Sequence, residues 1–531
     1  MRLSMPRRGI LGLWAVAALL LVAGIAAARV GAQEAAPAGA AVPDTTASAV
    51  APGEPAAETD AVAPAPPQTA AEALERVWAE VQTPWYQRLL SVMGLVVLLA
   101  AAWALSVDRR MIPWRVVIWG LTLQFAFGLF ILRTPIGERI FDAFNDIIVA
   151  LLGFTVDGAS FVFGDLVWNH VPVGSGSPGN APMAEAPGMV ARTGAFFAFN
   201  VLPTIIFFSA LMTVLYHLGI MQAIVRGMAW VMTRTMRTSG AETLSTAGNV
   251  FLGQTEAPLL VKPFVASMTM SELMAVMTGG FATVAGGVMA AYVGMLVGYF
   301  PDVAGHLLAA SVMSAPAGLM VAKIMYPERE EPATRGDVKV VVDSPDANVI
   351  DAAARGAGEG LTLALNVGAM LLAFIALISL INALLAYVGD LVGITSLLQS
   401  LGALEPGSRL TLETILGWLL APVAWIMGVP WEDAVTVGSM MGIKTVLNEF
   451  VAYLQLANLL SEGAPLSPRS IIIASYALCG FANFGSIAIQ IGGIGGIAPS
   501  RRGDLARIGL RAMIAGSIAA FMTATIAGII V

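Results

Sequence analysis

One cysteine, three histidines and a scarcity of charge mark this 531-residue chain. Cys479 stands alone, which excludes a disulfide framework and a cysteine-based metal cage. His170, His217 and His306 are widely spaced, so no histidine-rich metal cluster is available. Charged residues make up 12% of the chain, about half the share of a soluble protein, against 57% hydrophobic residues. The net charge of −7 leaves no strongly basic face and excludes a nucleic-acid partner. HExxH, GxSxG and a complete Walker A are missing. The nearest match, Gly442-Ile443-Lys444-Thr445, lacks phosphate-loop spacing and sits in an apolar stretch. These absences argue against an enzyme. The mean hydropathy is +0.79. A water-soluble fold cannot bury that much apolar surface with so little charge outside, so the chain reads as a polytopic membrane protein.

Residues 1–32 read as a secretory signal peptide, with Arg2, Arg7 and Arg8, an apolar run from Ile10 to Ala28, and the small-residue pattern Val30-Gly31-Ala32. Residues 33–84 are Ala/Pro-rich with few large apolar side chains, and read as a disordered periplasmic segment. Eight apolar runs are long enough to cross about 30 Å of hydrocarbon. They fall near 88–107, 114–133, 194–217, 270–299, 303–325, 362–388, 470–496 and 507–531. Two further regions, 240–264 and 434–460, are interrupted by polar residues and read as hairpins that enter and leave on one side. Stretches 220–237 and 411–431 read as interfacial helices with Trp and charge at their borders, and 136–152 as another amphipathic region.

With both termini periplasmic, loops 108–115, 218–239, 323–361 and 499–511 face the cytoplasm. They carry fifteen Lys and Arg residues against seven in the outer segments, as the positive-inside rule requires. The expected fold is therefore all-α, with eight transmembrane helices plus two re-entrant hairpins in an inverted repeat and interfacial helices. Scaffold helices occupy 85–193, a first repeat 194–325, a cytoplasmic loop 326–361, and a second repeat 362–531.

The repeat is legible in its motifs. The first half holds Asn249-Val250-Phe251-Leu252-Gly253-Gln254-Thr255-Glu256-Ala257-Pro258, then a span with Gly280-Phe281-Ala282-Thr283-Val284-Ala285-Gly286-Gly287-Val288. The second holds Val446-Leu447-Asn448-Glu449-Phe450, then a span with Cys479-Gly480-Phe481-Ala482-Asn483-Phe484-Gly485-Ser486. Paired glycine-interrupted segments in corresponding halves point to a transporter's midplane site. An unwound stretch exposes N–H and C=O groups that lipid cannot satisfy, so it persists only where it lines a cavity. Close helix packing is the competing account of such glycines. It is the better one for Gly294, Gly298, Gly495 and Gly496.

Glu256 and Glu449 lie deep in apolar sequence, where a carboxylate marks a functional position unless it pairs with Lys262 or Lys444 to lock a hairpin. Gln254, Thr255, Asn483 and Ser486 are neutral donors and acceptors. With the glutamates they suit an uncharged, polyhydroxylated solute that carries a ring with amide-like edges. Val288 and Phe481 offer apolar walls for such a ring, or ordinary packing. Asn249 and Thr283, with carbonyls from unwound backbone, suit a hard monovalent cation. A helix cap is the equal alternative for Asn249. An enzyme using the paired carboxylates would need a nucleophile or metal set, and none accompanies them.

Three motifs in order resemble the concentrative nucleoside transporter family: Gly253-Gln254-Thr255-Glu256-Ala257-Pro258-Leu259, Lys444-Thr445-Val446-Leu447-Asn448-Glu449-Phe450-Val451-Ala452-Tyr453, and Gly480-Phe481-Ala482-Asn483-Phe484-Gly485-Ser486-Ile487-Ala488-Ile489. The resemblance covers residues 85–531. It implies a homotrimer in a bacterial inner membrane that imports nucleosides with a co-transported cation by alternating access. That cation is Na+, or H+ as in some relatives. A symporter of another polar solute on the same plan is the further alternative. By motif position the resemblance implies that Gln254 and Thr255 contact the base, with Glu256 close by, and that Val288 and Phe481 flank it. Glu449, Asn483 and Ser486 would hold the ribose hydroxyls. Asn249, Thr283 and the carbonyls of Leu252 and Val284 would bind sodium. Thr283 and Leu252 stand where a close sodium-coupled relative is expected to have serine and valine, and both keep the needed oxygen.

Overall fold

The computed structural model describes residues 83–531 except 169, 176–183, 193–196, 335–345 and 462–465. The signal peptide and nearly all of the tether expected over 1–84 lie outside the described residues. The chain is helical. Helices α1 (Trp85–Ala104) and α2 (Trp114–Arg133) are followed by α3 (Pro135–Phe163). The Thr134 hydroxyl starts α3 by accepting from the Gly137 amide at 3.0 Å, with proline in the first turn. One element adds to the helical reading, an antiparallel ribbon of β1 (His170–Ser175) and β2 (Ala184–Arg192) that pairs His170 with Arg192.

A unit of structure then occurs twice. In the first copy α4 (Leu202–His217) and α5 (Ile220–Met236) lead to a hairpin. Its arms are α6 (Gly240–Gly248) and a 3-10 turn, Ala257–Val261, that continues into α7 (Lys262–Val265). A broken helix, α8 (Met270–Ala282) and α9 (Gly286–Leu296), precedes α10 (Val303–Met325). In the second copy α11 (Val349–Leu391), α12 (Ile394–Ser400) and α13 (Leu412–Ile426) lead to a hairpin of α14 (Trp431–Val446) and α15 (Glu449–Ser461). The broken helix α16 (Pro468–Leu478) and α17 (Phe484–Ile497) precedes α18 (Arg502–Ile530).

Hydrogen bonds at the hairpin bases establish that each hairpin returns to where it entered. Ser239 and Thr269 cap α6 and α8 through capping boxes with Glu242 and Glu272. The Ser239 hydroxyl also donates to Glu272 at 2.5 Å, which ties the two starts together. In the second copy Asp433, in the first turn of α14, accepts from the Ser467 hydroxyl at 2.8 Å and the Ser470 hydroxyl at 2.6 Å at the start of α16. The two bases sit at opposite ends of α1. Lys323 pairs with Glu242 of the first base at 2.7 Å near the end of α10, where Val107, just past α1, donates to the Met325 carbonyl. At the other end of α1, Ser91 donates to the Met427 carbonyl and accepts from Arg469 beside the second base. A twenty-residue helix is about 30 Å long, so the hairpins point toward each other from the two sides, as an inverted repeat requires.

Among the described residues eight helices, or helix pairs run together, are long and apolar enough to cross a membrane. Seven coincide with the expected runs. The eighth covers Pro135–Val167 and so exceeds the amphipathic stretch expected at 136–152, while the run expected at 470–496 is divided into α16 and α17. The larger departure is α11, whose 43 residues begin at 349 rather than 362 and take up the end of the expected loop. Asn348 caps it by accepting from the Asp351 amide at 3.0 Å. Its glycine-rich first turns stay helical because they are packed: a Cβ on Gly356 would lie 2.8 Å from the Ala210 Cα, and one on Gly360 2.8 Å from the Ile206 Cα. This Gly-xxx-Gly face lets α11 and α4 approach backbone to backbone. α8, α10 and α18 are buried almost throughout and form the centre, whereas α1, α3 and α11 expose large apolar side chains, the pattern of a protein whose outer solvent is lipid.

Candidate functional site

The two helix breaks meet. Gly480 adopts φ +126°, and a Cβ there would lie 2.7 Å from the Phe281 carbonyl oxygen and 3.0 Å from the Ala282 carbonyl carbon. Only glycine combines that left-handed backbone with so close an approach. Gly480→Ala is therefore expected to cost about 2–4 kcal/mol, read as a lowered thermal midpoint of the purified protein. An unchanged midpoint would mean that the break is free to relax.

Around this crossing lies a cavity of about 220 Å³, and all eight predicted solute residues line it: Gln254, Thr255, Glu256, Val288, Glu449, Phe481, Asn483 and Ser486. The first four come from one repeat and the last four from the other. The α11 side chains Leu363, Val367, Met370, Leu371 and Phe374 close a third, apolar wall. A larger cavity, about 890 Å³, lies between the start of α1 and the α13–α14 corner and contains none of these residues.

Each polar side chain of the wall is held by name. Glu449 opens α15 where a polypeptide turn separates it from α14, and it is buried. Its carboxylate accepts from the Tyr292 hydroxyl of α9 at 2.9 Å and from the Asn483 amide nitrogen at 3.1 Å. Asn483 cannot turn over, because its own oxygen accepts from the Ser486 amide at 2.8 Å as the cap of α17. Gln254, at the tip of the first hairpin, donates to the Ser486 hydroxyl at 3.1 Å. Thr255 packs so tightly that a Cβ on Gly493 of α17 would lie 2.6 Å from its methyl carbon. Glu256 is exposed, and its carboxylate closes the hairpin turn by accepting from the Gly253 amide at 3.1 Å. The starts of α9, α15 and α17 all reach this wall through Ala285, Glu449 and Asn483, so three helix N-termini border it.

Pairing of the glutamates with lysines, the alternative open from the sequence, does not occur among the described residues. Lys444 is buried and donates to the Ala477 carbonyl at 2.8 Å, so it satisfies the last turn of α16 just before the break. Lys262 is exposed. Neither lysine lines the cavity.

The four residues expected around a cation lie beside it. The Gly286 amide donates to the Phe251 carbonyl at 2.9 Å, which lays the 249–252 turn against the break that holds Thr283 and Val284. The Thr283 hydroxyl donates to the Gly279 carbonyl at 2.9 Å, and this leaves its oxygen lone pairs facing outward from the bond. Asn249 ends α6 and is 1% exposed, yet neither its side-chain oxygen nor its nitrogen has a hydrogen-bond partner. The helix-cap alternative for its side chain thus finds no bond. An orphaned buried amide is costly unless something polar meets it. The set is oxygen-only. No group of three or more His, Cys, Asp or Glu residues suited to a metal occurs among the described residues.

Two residues that bond to side chains of this wall from behind it had no signal in their own sequence neighbourhood. Tyr292 reaches Glu449 across 157 positions, and Gln490 of α17 reaches Gln254 across 236. The α11 wall was also unread, since its residues look like any apolar span.

Residues 93–166 match the family described as Na+ dependent nucleoside transporter N-terminus, 198–298 the nucleoside recognition (Gate) family, and 306–528 Na+ dependent nucleoside transporter C-terminus. The chain is 43% identical to an uncharacterized transporter of Haemophilus influenzae over 446 residues, covering 83% of this chain and 98% of that one. It is 41% identical to sodium/nucleoside cotransporter 1 of Mus musculus over 457 residues, covering 84% of this chain. The aligned part spans 64% of the length of that mouse relative. Among solved structures it is similar to CNTnw in an inward-facing substrate-bound state, with a TM-score of 0.71 and 42% identity over 83% of this chain and 97% of that one.

Proposed function

The chain belongs to the concentrative nucleoside transporter family, and we propose that it is a sodium-coupled symporter that imports nucleosides across a bacterial inner membrane. The observation that carries this reading is the meeting of eight residues from two inverted repeats in one cavity, with amides on one side and a carboxylate–amide pair on the other. Gln254 and Thr255 contact the base with Glu256 beside it, Val288 and Phe481 flank its faces, and Glu449, Asn483 and Ser486 take the ribose hydroxyls. That division follows chemistry. A ribose offers O–H donors to a carboxylate, and a base offers amide-like edges that a glutamine matches.

Asn249, Thr283 and the carbonyls of Leu252 and Val284 take the sodium ion, which travels as a co-substrate. The ion orders the 249–256 turn, and Gln254 belongs to that turn, so sodium and nucleoside strengthen each other's binding by the same factor. Alternating access follows when hairpins and broken helices move against a trimeric scaffold built from the remaining spans. The exposed apolar flanks of α3 and α11 support a scaffold that meets lipid and neighbouring copies. Both termini face the periplasm.

The test is uptake of radiolabelled uridine and adenosine into proteoliposomes of the full chain, with and without an inward sodium gradient. Saturable accumulation that needs the gradient is expected. Accumulation that follows a pH gradient without sodium would replace sodium by protons. Uptake of an unrelated polar metabolite with no uptake of either nucleoside would replace the substrate class.

A further inference from the structure

Gln490 lies outside the cavity wall, is fully buried in α17, and is not needed for the site as described above. Its amide nitrogen nevertheless makes two bonds, to the backbone carbonyl of Met277 in α8 at 3.2 Å and to the side-chain oxygen of Gln254 at 3.0 Å. Gly280, one turn beyond Met277, makes the room: a Cβ there would lie 2.8 Å from the Gln490 nitrogen and 3.0 Å from the Gln254 Cβ.

The direction of these bonds is not arbitrary. A backbone carbonyl can only accept, so the end of the Gln490 amide facing Met277 must be nitrogen. That same nitrogen then requires an acceptor from Gln254, which places the Gln254 oxygen on the Gln490 side. The Gln254 nitrogen is left facing Ser486, to which it donates at 3.1 Å. One fixed carbonyl in α8 thus sets the order of donor and acceptor along four groups, Met277, Gln490, Gln254 and Ser486. Without it, the Gln254 amide has two nearly isosteric orientations, with oxygen and nitrogen exchanged.

Resting on the nucleoside reading, we propose that Gln490 is a specificity-determining positioning residue: it locks the orientation of the Gln254 amide and so decides which edge pattern of a nucleobase the transporter prefers. The locked amide keeps a second proton on nitrogen and a second lone pair on oxygen. These meet a base in one order only. Uridine and cytidine are nearly equal in shape and reverse donor and acceptor along one edge, as do inosine and adenosine. The Gln490 oxygen, buried and without a partner, does nothing for packing that an apolar side chain could not do. Both of the side chain's hydrogen bonds are made by its nitrogen.

The experiment measures KM and Vmax for these four nucleosides in proteoliposomes of the wild type and of Gln490→Met. Methionine matches glutamine in length and cannot donate. The wild type is expected to discriminate within at least one pair by about fivefold or more in KM. In Gln490→Met that ratio falls to within about twofold, the KM of the preferred member rises about five- to tenfold, and Vmax stays within about twofold. Gln490→Asn, an amide too short to hold both partners, is expected to lose the discrimination as well and serves if the methionine variant does not reach the membrane. A space-filling role would leave the ratio untouched in Gln490→Met, and that result overturns the proposal. Equal KM values within both pairs in the wild type overturn it too. If the wild type transports none of the four, the nucleoside reading has failed instead, and the proposal falls with it.

Discussion

Glu449→Gln is expected to reduce uridine uptake by about a hundredfold or more while the protein still reaches the membrane in normal amount. The hydrogen-bond network supplies both halves of this expectation. Asn483 keeps its nitrogen toward position 449, because its oxygen is engaged by the Ser486 amide. A glutamine at 449 would therefore turn its oxygen to Asn483 and its nitrogen to Tyr292. The tyrosine hydroxyl can accept as readily as it donates, so both ends remain satisfied inside the folded protein. What the variant loses is the charge and one of the two spare acceptor sites that face the cavity, where an N–H now stands. Hydrogen bonds to a charged group contribute about 1.5–3 kcal/mol each. Two ribose hydroxyls thus account for about 3–6 kcal/mol, or roughly a hundredfold and upward at 1.4 kcal/mol per tenfold. Tyr292→Phe is the control, since it removes a holder of Glu449 without touching the charge, and a smaller loss is expected. Near-normal uptake by Glu449→Gln, with normal amounts of protein in the membrane, would remove the ribose-binding role.

What the sequence made legible, and what it hid, divides along a physical line. The hairpin tips and the helix breaks could be read because unsatisfied backbone has no place in lipid. Glycines interspersed with Asn483 and Ser486, or beside Thr283, therefore announce a cavity before any coordinates exist. Glu449 could be read for the same reason. The bonds that orient it could not, because Tyr292 looks like one more aromatic residue in an apolar helix and its partner is on the hairpin of the other repeat. Gln490 is the same case. The start of α11 was missed for a different reason. Asp351, Arg355 and three glycines between 351 and 360 argue for a loop when read locally, and only the close passage of α4 shows why they stay helical. The pairing left open for Lys444 rested on its charge alone, and its hydrogen bond goes to a carbonyl at a helix end, not to a carboxylate.

Asn249→Ala is the variant expected to separate sodium from nucleoside. In the wild type the KM for uridine should fall as sodium rises, by a factor within the 5- to 150-fold usual for coupled sites. In the variant the KM should stay high and become independent of sodium, with at least about a tenfold increase at saturating sodium. The fold should not suffer, and the reason is on the same side chain. Its oxygen and nitrogen are buried with no partner, so alanine breaks no bond and removes two polar atoms that are costly to bury alone. A thermal midpoint equal to or above that of the wild type in sodium-free buffer is thus expected together with the loss of sodium dependence. Ordinary structural asparagines give the opposite pair of results, a lowered midpoint with coupling intact. If Asn249→Ala retained the wild-type response of KM to sodium, the cation would have to bind elsewhere. The orphaned amide beside Thr283 would then need another account.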